Sequence, residues 1–375
     1  MEFKIEKAPL LEGLYYAQGI ADRKATMPIL ANVLLRTEGP DRVVVAATDL
    51  NITVTTEIPC EVISEGGLTV GAKHLHDIVK SLPGERLGIR RTENQYAEIT
   101  AGKVNYRMVG LADRDFPRLP NHREVSFARV ESAVLRDMVA KTFFSISTDE
   151  TRYHLNGVLF ECDGNGDKAL ARMVSTDGHR LSKCERLLPG GPRVSPGVLI
   201  PRKGLMELRR ALEGADTHVE IGFHQGHVFL RSRGTALSVK LNDAQFPPYE
   251  QVIPREHERL IVAPRDALLD ALKRISLIAS DKTWGIRLSM DKGTLRIESD
   301  NPDLGQGREE LDVSYGGSDM TIGFNARYLI DILGEIDTPQ VRLELNGELD
   351  PALLRPAEEK PGPGSYLGVV MPMRL

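Results

Sequence analysis

The chain has 375 residues, 41% hydrophobic and 27% charged, with 48 Lys and Arg against 53 Asp and Glu for a net charge of −5. This length exceeds one ordinary core and fits two or three domains; the acidic balance excludes a chain that is basic throughout, as many nucleic-acid binders are, but not local basic patches. No apolar run approaches the roughly 18–20 residues of a membrane span, Met1-Glu2-Phe3-Lys4 lacks a signal peptide's regions, and Cys60, Cys162 and Cys184, with no CxxC spacing, point to a reducing cytoplasm and away from disulfides or zinc.

In chain order, the pattern predicts a helix over 10–18, strands such as 43–47, a helix over 74–82 and further alternating strands. The sequence then begins again. A helix over 133–144 has Leu135, Met138, Val139 and Thr142 on one face, and strands follow at 158–162, 228–231 and 236–241. A third start is a helix over 265–278, with Leu268, Leu269, Leu272 and Ile275 on one face, followed by a strand over 286–290. Glu65-Gly66-Gly67 and Asp163-Gly164-Asn165-Gly166 mark turns. The stretches 189–196 and 356–364, rich in Pro and Gly, read as exposed insertions.

Three landmarks keep constant register. Val70-Gly71-Ala72-Lys73, Ile200-Pro201-Arg202-Lys203 and Phe324-Asn325-Ala326-Arg327 each read as an apolar residue, a short turn and a cation opening a helix, with an acid four positions later. Thr48-Asp49, Thr176-Asp177 and Ser299-Asp300 align, as do Phe116-Pro117, Phe246-Pro247 and Met371-Pro372. The period is too long for a solenoid, whose repeats span ~20–50 residues. The expectation is three globular α+β domains, 1–124, 125–256 and 257–375, each with two helices on one face of antiparallel strands.

No domain is basic overall, yet bases cluster on the helices: Arg23, Lys24, Lys73 and Lys80; Arg136, Lys141, Arg202, Lys203, Arg209 and Arg210; Lys273, Arg274, Lys282 and Arg327. Acids favour strands and turns, as at Glu57, Glu61, Glu309, Glu310 and Asp312. The equivalent cations Lys73, Lys203 and Arg327 predict a shared electropositive face that attracts phosphates without reading bases.

Met27-Pro28-Ile29-Leu30-Ala31-Asn32, Arg152-Tyr153-His154-Leu155-Asn156-Gly157, Thr176-Asp177-Gly178-His179-Arg180-Leu181, Pro201-Arg202-Lys203-Gly204 and Val369-Val370-Met371-Pro372-Met373-Arg374-Leu375 carry a family resemblance. On these motifs, with the triple repeat, the chain resembles the bacterial sliding DNA clamps, the beta subunits of DNA polymerase III, along its whole length. The resemblance implies two chains closed head to tail into a ring around duplex DNA. It implies no catalysis and no cofactor, and as partners sequence-independent DNA, a clamp loader, the polymerase III alpha subunit and other proteins with clamp-binding motifs. It carries DNA contact onto Lys24, Arg152, Tyr153, His154, Arg202 and Lys203. It carries a partner-peptide groove onto Leu155, Thr176, Gly178, His179, Arg180, Leu181, Pro247 and Val252, and onto Val369, Met371, Pro372, Met373 and Arg374, with Leu349 and Pro351 nearby. Methionines suit a surface that receives several partners. It carries the dimer seam onto His74, Tyr106 and Met108 against Leu277 and Ile278. Lys24, Asp149, His154, Gln251 and Gly368 depart from the family's usual residues. Its location would be the cytoplasm, on the nucleoid.

Enzyme readings fail on the residues. Asp177-Gly178-His179 has no nucleophile, and His74 with His76, or His224 with His227, lack a carboxylate or cysteine at ligand spacing. The run from Asp163 opens like a calcium loop but has Lys168 and Val174 where glycine and an acid are required. No phosphate-binding loop with its lysine is present. The alternative to a topological scaffold is an enzyme or ligand-binding protein that merely uses three α+β repeats.

Overall fold

The computed structural model describes residues 1–21, 26–164, 166–358 and 364–374. Its helices are α1 (Lys7–Ile20), α2 (Ala72–Ser81), α3 (Ser132–Phe143), α4 (Arg202–Glu213), α5 (Arg265–Ser276) and α6 (Ala326–Gly334). They come two to a repeat, and α1 packs on α2 as α5 packs on α6. Helix α1 starts earlier than its hydrophobic pattern predicts because it follows strand Glu2–Glu6 without a break. Pro9 falls in its first turn, where no intrahelical N–H is needed. Leu10, Gly13, Leu14, Ala17 and Ile20 form its buried stripe.

The short turn expected before each second helix is absent. Strand Gly67–Gly71 runs straight into α2, Val194–Pro201 into α4 and Met320–Asn325 into α6. The capping residue itself changes the chain's direction: the Asn325 side chain accepts the Arg327 N–H at 2.9 Å. Lys73, Lys203 and Arg327 therefore all stand at the second helical position, and all are exposed.

The chain forms two compact units, one of residues 1–132 and 206–241, the other of 133–205 and 242–375. In the first, strand Ile52–Pro59 of the first repeat pairs antiparallel with Thr235–Lys240 of the second, Thr56 opposite Thr235 and Ile52 opposite Val239. This pair fuses the strands of both repeats into one thirteen-stranded sheet among the described residues. In the second unit, Arg180–Leu187 pairs antiparallel with Tyr366–Val370, Leu181 opposite Val369, within an eight-stranded sheet. A separate four-stranded sheet there has Gly305–Asp312 at its edge.

The second half of the expected insertion at 189–196 is sheet. Val194 is buried and opposes Cys162 across a register irregularity, and Pro196 sits on a strand at the sheet's edge, where its missing N–H costs no ladder bond. The other expected insertion, 356–364, starts at the end of strand Ala352–Pro356, and residues 359–363 lie outside the described residues. The run from Asp163 is the hairpin connection between strands Gly157–Asp163 and Leu170–Thr176.

Several helix cations are structural. Lys141 is 4% exposed; its ammonium donates to the Glu335 carbonyl at 2.6 Å and to Asp337 at 2.9 Å, and lies 3.2 Å from Asp137. Burial opposes its charge, yet bonding to Asp337 and Asp137 holds its pKa above the ordinary value. Arg210 lies 3.8 Å over the Tyr15 ring and donates to the Tyr15 carbonyl, while Arg274 pairs with Glu309. The reason is geometric: a long side chain on a packed helix can lay its stem along the neighbouring element and bond an acceptor there.

Replacing Lys141 with alanine is expected to lower stability by about 1–3 kcal/mol in urea unfolding at neutral pH, because two carboxylates and a carbonyl lose a shared donor. A raised folded-state pKa contributes stability below the unfolded value and loses it as pH rises through the folded one. The difference between wild type and variant should therefore shrink above the ordinary lysine range of about 10.4.

Candidate functional site

The site is built on one turn. In Thr176–Asp177–Gly178–His179–Arg180, the Thr176 hydroxyl donates to the Arg180 carbonyl at 2.6 Å and accepts the Gly178 N–H at 3.1 Å. One Asp177 carboxylate oxygen accepts the N–H groups of His179 and Arg180, both at 3.0 Å. Gly178 has φ +90°, a conformation that favours glycine. The turn is thus encoded by a hydroxyl, an acid and a glycine in a fixed order.

Arg180 leaves this turn and joins the second repeat to the third. Its Nε donates to Asp177 at 3.0 Å, its Nη1 to Asp331, and its Nη2 to the Phe144 carbonyl at 2.7 Å. Its guanidinium lies 4.6 Å from the Tyr328 ring centroid and 5.3 Å from that of Phe144. Burial raises the Tyr328 pKa, and the Asp177 charge adds to the rise. The guanidinium is thus committed on every side.

Beside the turn is a cavity of about 280 Å³. Leu155, Thr176, Gly178, Arg180, Leu181, Pro247, Val252, Val369 and Met371 line it, together with His154, Pro248 and Tyr249. Beneath lies a buried cluster of Val174, Leu181, Leu199, Phe246, Tyr249, Leu353, Leu367 and Val369, so the floor is part of the core. Burial pushes the Tyr249 hydroxyl well above its usual range and keeps it neutral. Val252 and Met371, 47% and 40% exposed, leave apolar surface open at the mouth of the cavity.

Four of the residues assigned to the groove lie outside this lining. His179 faces the Tyr328 ring, stacked at 6.4 Å, and its carbonyl accepts the Met371 N–H at 2.8 Å. Two residues on, the Met373 N–H donates to the Gly323 carbonyl at 2.9 Å, so the chain turns along strand Met320–Asn325. Pro372 and Met373 are half-buried there, and Arg374 is exposed. Leu349 is 64% exposed, and neither it nor Pro351 lines the cavity. Pro248 and Tyr249 were missed by sequence reasoning, although they directly follow the aligned Phe246-Pro247 landmark. A side chain at Gly368 has no room: its Cβ would lie 2.7 Å from Ile332.

The residues assigned to DNA divide. His154 lines the groove and meets Tyr153 edge-on at 5.8 Å. Arg152 donates to the Asp177 carbonyl at 3.2 Å and faces Asp149 at 3.8 Å, against the groove turn. Asp149 is itself engaged: the Thr151 hydroxyl and N–H hold its carboxyl below the usual range. Tyr153 is 63% exposed. Arg202 lies 4.6 Å over the Phe143 ring, and Lys203 is exposed. Lys24 lies outside the described residues.

The seam residues lie on two strand edges or beside them. Tyr106 and Met108 share one face of strand Val104–Leu111, which pairs with Tyr96–Ala101 along one side and with Gly67–Gly71 only at its last residues. Leu277, just past α5, is 78% exposed, and Ile278 packs towards Gly307 on the edge strand Gly305–Asp312. His74 is exposed on α2.

Three α+β repeats joined edge to edge, with an apolar groove where the second meets the third, define a modular binding scaffold. Family models for the N-terminal, central and C-terminal domains of the DNA polymerase III beta subunit match residues 1–120, 129–248 and 250–374. The chain is 36% identical to the beta sliding clamp of Pseudomonas putida, with all of both chains covered. Among solved structures, the Pseudomonas aeruginosa DNA polymerase sliding clamp with ligand matches at TM-score 0.91 and 35% identity, over all of both chains. The Bartonella birtlesii clamp bound to griselimycin matches at 0.92 and 32%, likewise over all of both chains. The chain belongs to the DNA polymerase III beta subunit family, the non-catalytic sliding clamps of DNA replication.

Replacing Arg180 with alanine is expected to lower stability by about 2–4 kcal/mol, since Asp177 and Asp331 lose their shared cation and two rings their cover. Arg180→Lys should recover less than half, because an ammonium lacks the planar fork that reaches three acceptors. Chemical denaturation with a fluorescence readout checks both.

Proposed function

We propose that two copies close head to tail into a ring around duplex DNA, each built of domains 1–124, 125–256 and 257–375. One observation carries this reading. Within the chain, repeats are joined by a single antiparallel strand pair, and the corresponding edges of the first and third repeats are left over. Strand Val104–Leu111 immediately precedes the Phe116-Pro117 landmark, as Thr235–Lys240 and Tyr366–Val370 precede theirs; strand Gly305–Asp312 follows Ser299-Asp300, as Ile52–Pro59 and Arg180–Leu187 follow theirs. A third junction of the same kind forms only with a second copy. Lys103 and Arg107 flank one edge and Asp312 the other, where Glu309 and Glu310 are already paired with Arg274, Arg296 and Arg308; Tyr106 and Met108 supply apolar surface for Leu277 and Ile278.

The DNA-facing role falls to the helix starts. A cation at the second helical position opposes the helix dipole, whereas a phosphate there is favoured by the dipole and the cation together. Lys73, Lys203 and Arg327 share that position, with Arg202 and the Arg152–Tyr153 loop as further contacts and Lys24 assigned by resemblance. Contacts of this kind hold register loosely and do not read sequence, as sliding requires.

The groove holds extended segments of partner proteins, among them the replicative polymerase, the clamp loader and other proteins with clamp-binding motifs. Griselimycin in the Bartonella relative's structure supports a site for peptide-like ligands. Leu155, Leu181, Val252, Val369 and Met371 would receive the apolar anchors. The protein would act in the cytoplasm, on the nucleoid; among the described residues no helix is long and apolar enough to cross a membrane.

Sedimentation should give a dimer of about 83 kDa, twice the chain's 41.5 kDa. Once loaded, it should stay on closed circular DNA and be lost when the circle is linearised; retention after cutting would overturn the ring. Lys203→Glu should weaken DNA association equally on unrelated sequences. Removing residues 371–375 should cost at least about tenfold in affinity for a polymerase-derived peptide, measured by fluorescence anisotropy, and leave the dimer mass unchanged.

A further inference from the structure

We propose that the seam between the first and second repeats carries a second protein-docking cleft, one that takes an acidic, extended segment anchored by a single apolar side chain. The groove turn recurs there bond for bond. The Thr48 hydroxyl donates to the Ile52 carbonyl at 3.0 Å and accepts the Leu50 N–H at 3.0 Å, as Thr176 does within its own turn. One Asp49 oxygen accepts the N–H groups of Asn51 and Ile52 at 2.9 and 2.6 Å, as Asp177 does for His179 and Arg180. The Lys240 N–H donates to the Asn51 carbonyl at 2.8 Å, the counterpart of Met371 on His179. Next to this turn is a cavity of about 260 Å³, with Pro117 where the groove has Pro247.

The lining differs in chemistry. Leu50 stands at the position of Gly178, with φ +75°, and is 54% exposed. A leucine in the left-handed region is unusual, and burial does not account for this one. It lines the cavity mouth with Pro117, above buried Phe229. Where the groove is lined by its tail methionine, this cavity is lined by Arg118, His224 and His227. Arg118 is exposed and has no ion pair among the described residues. His227 Nδ1 donates to the Gln225 carbonyl at 3.0 Å, and His224 Nε2 is buried, 3.6 Å from Glu124, so both rings serve as polar walls. The Arg118 guanidinium beside exposed Leu50 complements a segment in which a carboxylate flanks one aliphatic or aromatic residue.

The test uses the full-length protein and a fluorescein-labelled pentapeptide of one leucine flanked by glutamates, read by anisotropy at physiological ionic strength. Arg118→Glu should weaken binding at least about tenfold. Leu50→Asn should weaken it several-fold while raising thermal stability, because asparagine tolerates the left-handed backbone. Neither change should alter binding of a polymerase-derived peptide to the Met371 groove, so failure of that groove reading and failure of this one are seen with different probes. Full affinity in Leu50→Asn, equal binding of a lysine-flanked peptide, displacement by a DNA duplex, or loss of the probe in Met371→Asp would each overturn the second cleft. Should Arg118→Glu fail to fold, Leu50→Asn decides alone.

Discussion

The structure depends on the hydrogen bonding of strand edges. An edge strand presents a row of unpaired N–H and carbonyl groups, which must be covered or paired. Here one repeat covers the next: Ile52–Pro59 takes Thr235–Lys240, and Arg180–Leu187 takes Tyr366–Val370. Each pairing extends a sheet and places side chains from two repeats over one core, as Leu181 and Val369 show in sharing a buried cluster with Phe246 and Leu353. Among the described residues, the same rule leaves much of one side of Val104–Leu111 and the outer side of Gly305–Asp312 without a strand partner.

Both clefts follow from the joints. Where two strands from different repeats begin to pair, the turn before one and the segment after the other diverge, and a hollow opens beside the ladder. The Met371 groove has a floor of core residues and so is apolar; the rim of each hollow is turn and loop, and free to differ. At one joint the rim holds Gly178, Met371 and a fully engaged Arg180. At the other it holds Leu50, Arg118 and two histidines. A repeated architecture thus yields unlike sites from like geometry, and the difference lies in a few side chains.

Charge follows the same division between scaffold and surface. Of the helix bases, Lys141, Arg210 and Arg274 are absorbed into contacts with carboxylates, carbonyls or aromatic rings. Lys73, Lys203 and Arg327 are not placed alike by accident of composition: each follows a strand that runs directly into a helix, so the second helical position recurs with the fold. A net charge of −5 is compatible with such local cationic positions, since the sum says nothing about their arrangement.

The sequence by itself determined the triple repeat, the α+β class, the two helices of each copy and the turn signature Thr-Asp-x-x, because these rest on local periodicity and on side chains that bond their own backbone. It also marked Leu155, Thr176, Arg180, Pro247 and Met371 as belonging to one neighbourhood through family motifs. Tertiary structure decided the rest. That His154 faces the groove, that Met373 turns away to pair with Gly323, that Lys141 is buried and that Val194 is sheet all depend on partners far along the chain. A motif fixes which residues are neighbours in sequence. Which way a side chain points is set by register across a strand pair, and a shift of one residue reverses it.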